Sequence, residues 1–251
     1  GKGETTLRSP RRARRGDLTY GPEACHMRNS VRLLLSCALA TIALAAAMQT
    51  ASARSFEISS QDIRAIWAPV TVIIPESALE FVCVMTLEGS FHSRTIAKVE
   101  GALIGHITRA IVGHPCGGAG EMWIHNGIER PLGAERATSL PWHLTYRGFT
   151  GTLPNISEVR ILIRGIRTTA YWRVGEITLC LANFGNAEES IISEWKVGAG
   201  GRVIAIQFLA QPLTRRETFN MTSCQPNIRW NSSATIITRL SETTAISITL
   251  I

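Results

Sequence analysis

The sequence predicts an all-β protein: an antiparallel β-sandwich, or a barrel-like fold, of about nine or ten short strands. Ile, Val and Thr are abundant, and such β-branched side chains suit the half-buried surface of a pleated sheet. Several runs of about 4–8 residues alternate apolar with polar side chains, and clusters of Gly, Pro, Asn or Ser separate them. The sequence contains no repeat of solenoid length and no coiled-coil heptads.

The alternating runs follow one another along the chain. We expect strands at residues 55–67, 70–74, 79–91, 140–146, 159–166, 176–182, 202–209, 234–240 and 245–251. Residues 113–120, 149–154 and 184–194 are rich in turn-forming residues, so we expect loops or turns there, the last with room for one helical turn.

Residues 95–112 fit two interpretations. Apolar residues recur there at helical spacing: Ile96, Val99, Leu103, Ile107 and Ile111. However, Gly101 and Gly105 would each cost a helix about 1 kcal/mol relative to Ala, and β-branched residues are frequent in this segment. We therefore favour a strand, a turn and a second strand over a helix.

The segment from Met27 to Ala53 is typical of a secretory signal peptide. Two arginines precede the uncharged apolar run Leu33–Met48, and Ala51-Ser52-Ala53 is a small-x-small cleavage site. We therefore expect a non-native or disordered extension at residues 1–26, a removable signal helix at 27–53, and a single β-rich domain at 54–251. A retained anchor would need about 20 apolar residues, and lipidation of Cys37 would need a longer apolar run before it. We favour neither and expect no stable membrane span after cleavage.

Removal of residues 1–53 changes the charge of the chain. The full chain has a net charge of +7, but its first 53 residues hold 8 Lys and Arg against 3 Asp and Glu. The remaining 198 residues hold 18 basic and 16 acidic side chains, and the basic ones are scattered. Nucleic-acid binding depends on a clustered basic face, so we expect no nucleic-acid partner.

Four of the six cysteines follow the predicted cleavage site: Cys83, Cys116, Cys180 and Cys224. An even number in an exported chain predicts two disulfides. We favour the sequential pairs Cys83–Cys116 and Cys180–Cys224, because they close loops of moderate length and each adds about 3 kcal/mol of stability. A four-cysteine zinc site is disfavoured because the sequence has no CxxC pair.

Motifs for common enzyme chemistry are absent from the sequence. It has no GxSxG nucleophile elbow, no HExxH zinc motif and no glycine-rich phosphate loop. His106, His114 and His125 lack the regular spacing of a metal site. We therefore predict no catalytic residue, no cofactor and no metal.

The six tryptophans have two possible functions: an exposed aromatic surface for glycan binding, or packing in the core. A large ring fills much volume between sheets, which favours the core. No two of these residues share a strand face by their spacing, which also favours the core. They are Trp67, Trp123, Trp142, Trp172, Trp195 and Trp230.

Two segments, Thr86–Ala110 (TLEGSFHSRTIAKVEGALIGHITRA) and Leu140–Pro154 (LPWHLTYRGFTGTLP), resemble an uncharacterised group of secreted bacterial hypothetical proteins. The resemblance covers most of the chain after residue 53 and implies export and a shared fold. That group has no assigned activity, so no catalytic residue is carried over.

The same segments contain the candidate binding residues. They are Ser90, His92 and Arg94, which alternate along one face of an extended strand, and the adjacent pair Trp142 and His143. Hydrogen bonds that support turns and sheet edges are the commoner function of such residues.

These features together predict an exported, disulfide-stabilised binding or structural module of the bacterial envelope or exterior. Its location would be periplasmic, cell-surface or extracellular, and its partner a glycan or an envelope protein. One alternative is a secreted hydrolase with a site near His92 or His143. Another is a subunit of a surface assembly, in which an edge strand such as residues 245–251 pairs with a neighbouring molecule.

The predicted cleavage site can be checked by intact mass spectrometry of the protein after export from a bacterial host. The expected mass is that of a chain beginning at Arg54. A secreted species that still contains Gly1 would contradict the signal-peptide interpretation.

Overall fold

The computed structural model confirms the all-β fold class. It describes residues 55–127, 138–174, 176–219, 224–232, 237–240 and 242–251, so the predicted extension and signal peptide lie outside it. Sixteen strands occupy most of the described residues, and the helical element among them is a 3-10 turn at Ala199–Gly201. Within these ranges, no helix has the length and apolar character that a membrane crossing requires.

The strands are joined mostly by short turns. They are β1 (Ser55–Ile58), β2 (Asp62–Ile74), β3 (Leu79–Phe91), β4 (Thr95–Ala97), β5 (Leu103–Gly118), β6 (Gly120–Ile124), β7 (Trp142–Thr152), β8 (Asn155–Arg164), β9 (Thr168–Val174), β10 (Ile177–Phe184), β11 (Ser190–Val197), β12 (Val203–Phe208), β13 (Pro212–Thr218), β14 (Asn227–Ser232), β15 (Ile237–Arg239) and β16 (Ile248–Leu250).

The sixteen strands of the described residues exceed the predicted nine or ten. The loops predicted at residues 113–120 and 184–194 are wrong in part, because strands occupy some of these residues. Strand β5 continues to Gly118 because its glycines allow close contact with β3: a Cβ on Gly118 would lie 3.0 Å from the Glu80 carbonyl oxygen. Strand β11 is paired on both sides, with β8 and with β12. Strands β6, β9, β13 and β14 were not predicted. In contrast, strand, turn and strand at residues 95–112 is confirmed by β4 and β5.

The strands form two antiparallel sheets. The smaller has the order β16-β1-β4, and the larger runs β12-β11-β8-β7-β5-β3-β2-β14-β13-β10-β9-β6, with β15 also paired to β2. The larger sheet curls as a half-barrel. Strand β12, at one end of the larger sheet, lies close to β14, and the Phe208 N–H donates there to Ser232 Oγ at 2.7 Å. The curl encloses one continuous apolar core.

Five of the six tryptophans pack inside this core, which is the interpretation that their size favoured from the sequence. Trp67 stacks on Phe208 with ring centroids 4.6 Å apart, and Trp142 lies 6.5 Å from Trp230. Trp172 and Trp195 are also buried. Trp123 is only half-buried and lies on the outer face of β6.

Three long strands, β2, β3 and β5, hold the two halves of the larger sheet together. Strands β2 and β3 pair from Asp62↔Ser90 to Ile74↔Leu79, with one irregularity between Trp67 and Val70 where the register shifts. Strand β5 pairs with β3 from Phe91↔Gly105 to Phe81↔Gly118. Side chains alternate between core and solvent along β3, which is the pattern expected of a strand with one buried face.

Two glycines allow β3 and β5 to approach closely at one end. A Cβ on Gly89 would lie 2.1 Å from the His106 carbonyl oxygen, and a Cβ on Gly105 would lie 2.4 Å from the Ser90 carbonyl oxygen. Real Cβ atoms do not approach backbone so closely, so only glycine fits at either position without moving a strand. The pair Ser90↔His106 lies between these two glycines in the register.

The disulfides lie elsewhere on the larger sheet and join the pairs favoured from the sequence. Cys83–Cys116 links β3 to β5 with Cα atoms 4.5 Å apart. Cys180–Cys224 links β10 to the chain just before β14, with Cα atoms 4.7 Å apart. Each bond constrains segments that are 33 or 44 residues apart in sequence, which restricts the unfolded chain.

An ionic contact also crosses the three long strands. The carboxylate of Glu88 on β3 accepts from Arg64 Nε on β2 at 2.8 Å and from Arg109 Nη1 on β5 at 2.9 Å. Burial raises the pKa of Glu88, but the hydrogen bonds and charges of Arg109 and Arg64 outweigh it. The net result is a pKa below the ordinary 4.5.

Replacement of Gly105 by Ala should destabilise the protein by about 3 kcal/mol, because a methyl group would displace the β3 backbone. The matched control is Gly113→Ala on the same strand, whose Cβ would meet Val84 at an ordinary 3.4 Å. Urea unfolding of both variants measures the difference. Equal stability of the two variants would contradict the close approach of β3 and β5.

The Glu88 contact predicts a defined pH dependence. Because the pKa of Glu88 is lowered by folding, its contribution is complete above the unfolded value near 4.5 and is lost as the pH falls through the folded value. The stability difference between the wild type and Glu88→Gln should therefore shrink as the pH falls from 7 to about 3. A difference that stays constant over this range would show that Glu88 is not paired.

Candidate functional site

Three nearly parallel rings form a continuous row on the outer face of the larger sheet. His114 of β5 stacks on Trp123 of β6 with ring centroids 5.3 Å apart and planes 29° apart. Trp123 in turn stacks on Tyr171 of β9 at 5.5 Å and 20°. We call these three residues the aromatic row.

A carboxylate lies beside the aromatic row. Glu121 of β6 is directly opposite Tyr171 in the register, and its Oε2 lies 2.8 Å from His114 Nδ1. The Cys116 N–H donates to both of its oxygens at 3.1 Å. Glu121 is therefore fixed between the disulfide and the rings. Together with Pro115 and the aromatic row it lines an open cleft of about 410 Å³.

Polar side chains continue the same face beyond the rings. Thr169 of β9 lies opposite Trp123, and its hydroxyl donates to Asn183 Oδ1 at 2.7 Å. Asn183 Nδ2 donates in turn to Glu217 Oε2 at 2.7 Å. An apolar ring surface therefore borders a line of amide and carboxylate groups. Ligand sites commonly combine aromatic side chains with a few polar groups in this way.

A second group of side chains lies at the glycine end of the long strands. His106 of β5 is opposite Ser90 on one side and His143 of β7 on the other, and His143 is opposite Arg164 of β8. His92 follows the last residue of β3 directly. We call His92, His106 and His143 the histidine row.

The rings of the histidine row contact one another. His92 Nε2 lies 2.9 Å from His106 Nδ1, and their ring centroids are 4.6 Å apart. The His143 ring is 5.1 Å from that of His106 in an edge-on arrangement. Burial lowers the pKa of His106, and the neighbouring charges of His92 and His143 lower it further, so the neutral imidazole is favoured.

The five candidate residues from the sequence do not all lie at this position. Ser90, His92 and His143 lie around His106, although they come from segments about 50 residues apart. Arg94 instead donates from Nη2 to the Ser59 carbonyl oxygen at 3.2 Å, in a separate cleft. Trp142 is fully buried and its Nε1 donates to Ser139 Oγ at 2.9 Å, so its ring supports the core.

The three histidines considered for a metal from their sequence positions lie in three different places. His106 belongs to the histidine row, His114 to the aromatic row, and His125 lies 2.9 Å from the buried Thr169 hydroxyl. His114, Cys116 and Glu121 are close enough to share an ion. However, Cys116 is in a disulfide, so this group offers only two ligands.

Sequence reasoning favoured the core for Trp123, as for the other tryptophans, and did not select Tyr171 or Glu121 as candidate residues. His114 and Trp123 come from the consecutive strands β5 and β6, whereas Tyr171 comes from the distant strand β9. Strands β6 and β9 were not predicted. One local signal was present in the segment Glu121-Met122-Trp123-Ile124. Its apolar residues Met122 and Ile124 alternate with Glu121 and Trp123, so the latter two face outward when the former two are buried.

The structure is that of a disulfide-bonded, all-β protein with two rows of ring side chains on the outer face of its larger sheet. Comparison of the chain with family models, with curated proteins and with solved structures finds no match.

Proposed function

We propose that this protein is an exported binding module of the bacterial envelope or exterior, and that the aromatic row with Glu121 binds glycans. The observation that carries this proposal is the nearly parallel stacking of His114, Trp123 and Tyr171 along an open cleft beside a fixed carboxylate. Apolar sugar faces pack on aromatic rings, and hydroxyl groups donate to carboxylate and amide oxygens.

The form of the cleft favours a chain of sugars over a small molecule. Pockets for small ligands enclose most of the ligand surface, whereas this cleft is open and lies along the sheet. A polymer can cross such a surface and contact the rings together with Asn183 and Glu217. The buried Thr169 hydroxyl supports this polar line by its hydrogen bond to Asn183. Export agrees with the signal-like sequence and with two disulfides, which persist in oxidising compartments.

The hydrolase alternative has less support. A nucleophile within hydrogen-bonding reach of a base is the usual signature of such a site. In the described part of the chain, neither a serine hydroxyl nor a carboxylate hydrogen-bonds to His92 or His143. The assembly alternative relies on an exposed edge at residues 245–251. Strand β16 is an end strand of the smaller sheet but is only three residues long, and the preceding Ser247 is bridged to Arg202.

Replacement of Trp123 by Ala should weaken glycan binding at least about tenfold, equivalent to about 1.4 kcal/mol, because the central ring of the row is lost. Tyr171→Ala should also weaken binding. The matched control is Ile204→Ala, which removes an exposed apolar side chain on β12, away from the row. A glycan array identifies the ligand, and calorimetry with that glycan gives the affinity.

The proposal fails if the folded wild-type protein binds no glycan on the array. It also fails if Trp123→Ala binds the selected glycan as tightly as Ile204→Ala does. Circular dichroism of each variant establishes that the comparison is made between folded proteins.

A further inference from the structure

We propose that a cleft at the end of the histidine row binds a tetrahedral oxyanion, a phosphate or sulfate group, through Arg164, Arg167 and His143. The cleft shares no residue with the aromatic row, and this proposal does not depend on glycan binding there.

The cleft has a volume of about 200 Å³ and is more enclosed than the open cleft of the aromatic row. Both arginines line it together with His143 and the consecutive residues Thr138 and Ser139. Pockets for whole drug-sized ligands are usually larger. This cleft therefore suits a small group, either free or carried on a larger molecule.

The first argument is the convergence of basic side chains from two strands and a turn. Arg164, the last residue of β8, lies directly opposite His143 of β7 in the register, so the two side chains are neighbours on one face. A turn follows in which Gly165 has a φ of +86°, a conformation that residues with a side chain rarely adopt. The turn brings Arg167 back to the same cleft.

The second argument is the lack of a counter-charge. Among the described residues, no Asp or Glu lines the cleft and neither arginine has a carboxylate partner, whereas Arg160, earlier on β8, pairs with Glu158. Glu189 contacts the turn through its carbonyl oxygen, but its carboxylate pairs with Arg216 instead. Glu188 is exposed and does not line the cleft. The two guanidinium groups therefore repel each other in the free protein, and a bound anion offsets that repulsion.

The third argument is the match between the donors and the ligand. Each guanidinium is always charged and donates from a planar fork of N–H groups, which fits the oxygens of a phosphate in pairs. The Thr138 hydroxyl oxygen accepts from the Leu140 N–H at 3.1 Å, so its proton remains to donate to a ligand. Together with the His143 ring, these donors outnumber the two oxygens of a carboxylate. A phosphate ester offers three acceptor oxygens, and a sulfate ester has the same arrangement.

The turn that carries the arginines is held on both sides. The Gly165 N–H donates to the Glu189 carbonyl oxygen at 3.2 Å, and the Arg167 carbonyl oxygen accepts from the His125 N–H at 3.0 Å. Ile166, between them, is fully buried. Little backbone order is therefore lost when an anion binds, which favours binding.

Nuclear magnetic resonance titration of the full chain with sodium phosphate, at constant ionic strength, tests the site. The backbone amide signals of Gly165 and Arg167 should shift and reach saturation, while the amide signal of Trp123 stays unchanged. We expect the Kd to rise at least about tenfold in Arg164→Ala and in Arg167→Ala, because a hydrogen bond between two charged groups is lost. His143→Ala should raise the Kd about threefold, because a single donor is lost.

The matched control is Arg229→Ala on β14, which removes an exposed arginine outside the cleft and changes the net charge by the same amount as the other arginine variants. Its Kd should equal that of the wild type. All four substituted side chains are exposed, so the variants should fold, and circular dichroism checks this.

Further titrations identify the source of the anion. Glucose 6-phosphate, glucose 6-sulfate and inorganic sulfate are compared with inorganic phosphate, and glucose is the uncharged control. Tighter binding of an ester than of the free ions indicates a group carried on a larger molecule. Tighter binding of a free ion indicates that the ion itself is the ligand.

The proposal is overturned if neither phosphate nor sulfate, free or as an ester, shifts the amide signals of Gly165 and Arg167. Wild-type affinity in Arg164→Ala, Arg167→Ala or His143→Ala would also overturn it. A loss of affinity in Arg229→Ala as large as in Arg164→Ala would show that binding follows net charge alone, which contradicts a specific site.

Discussion

The close pairing of β3 with β5 is the constraint on which the rest of this structure depends. At one end the glycines at 89 and 105 allow the two backbones to approach without side chains between them. At the other end the Cys83–Cys116 disulfide joins the same two strands covalently. Between these ends Glu88 connects β3 to arginines on both neighbouring strands. The larger sheet can therefore curl around its core while this centre keeps its register.

Both candidate sites depend on that centre. The aromatic row begins at His114, next to the disulfide, and Glu121 is oriented there by the Cys116 N–H. The histidine row is centred on His106, between the two glycines. A shift of β5 by one residue would turn His106 toward the core and a core residue outward, because side chains alternate along a strand. The interactions that fix the register thus also fix the positions of the side chains in both rows.

Much of this fold could be predicted from the sequence, and the exceptions have physical reasons. Alternation identified β3 and β8, the glycines and β-branched residues of 95–112 favoured strand, turn and strand there, and the cysteine spacing indicated both disulfides. Alternation failed at β9 (TTAYWRV), where Thr168, Thr169 and Ala170 are all buried in succession. It also failed at β11, whose polar start at Ser190 resembles a loop. Pairing between distant strands, which local patterns do not report, placed Trp123 beside Tyr171 and brought His92 and His143 together around His106.

Native-state amide hydrogen exchange tests most directly the claim that β3 and β5 form the rigid centre. The amides that pair these strands near Gly89, Phe91 and Ile107 should exchange only through global unfolding, with protection equal to the total stability. The small sheet of β16, β1 and β4 should exchange faster, through local opening. Exchange of the β3–β5 amides at the rate of the small sheet would contradict the account.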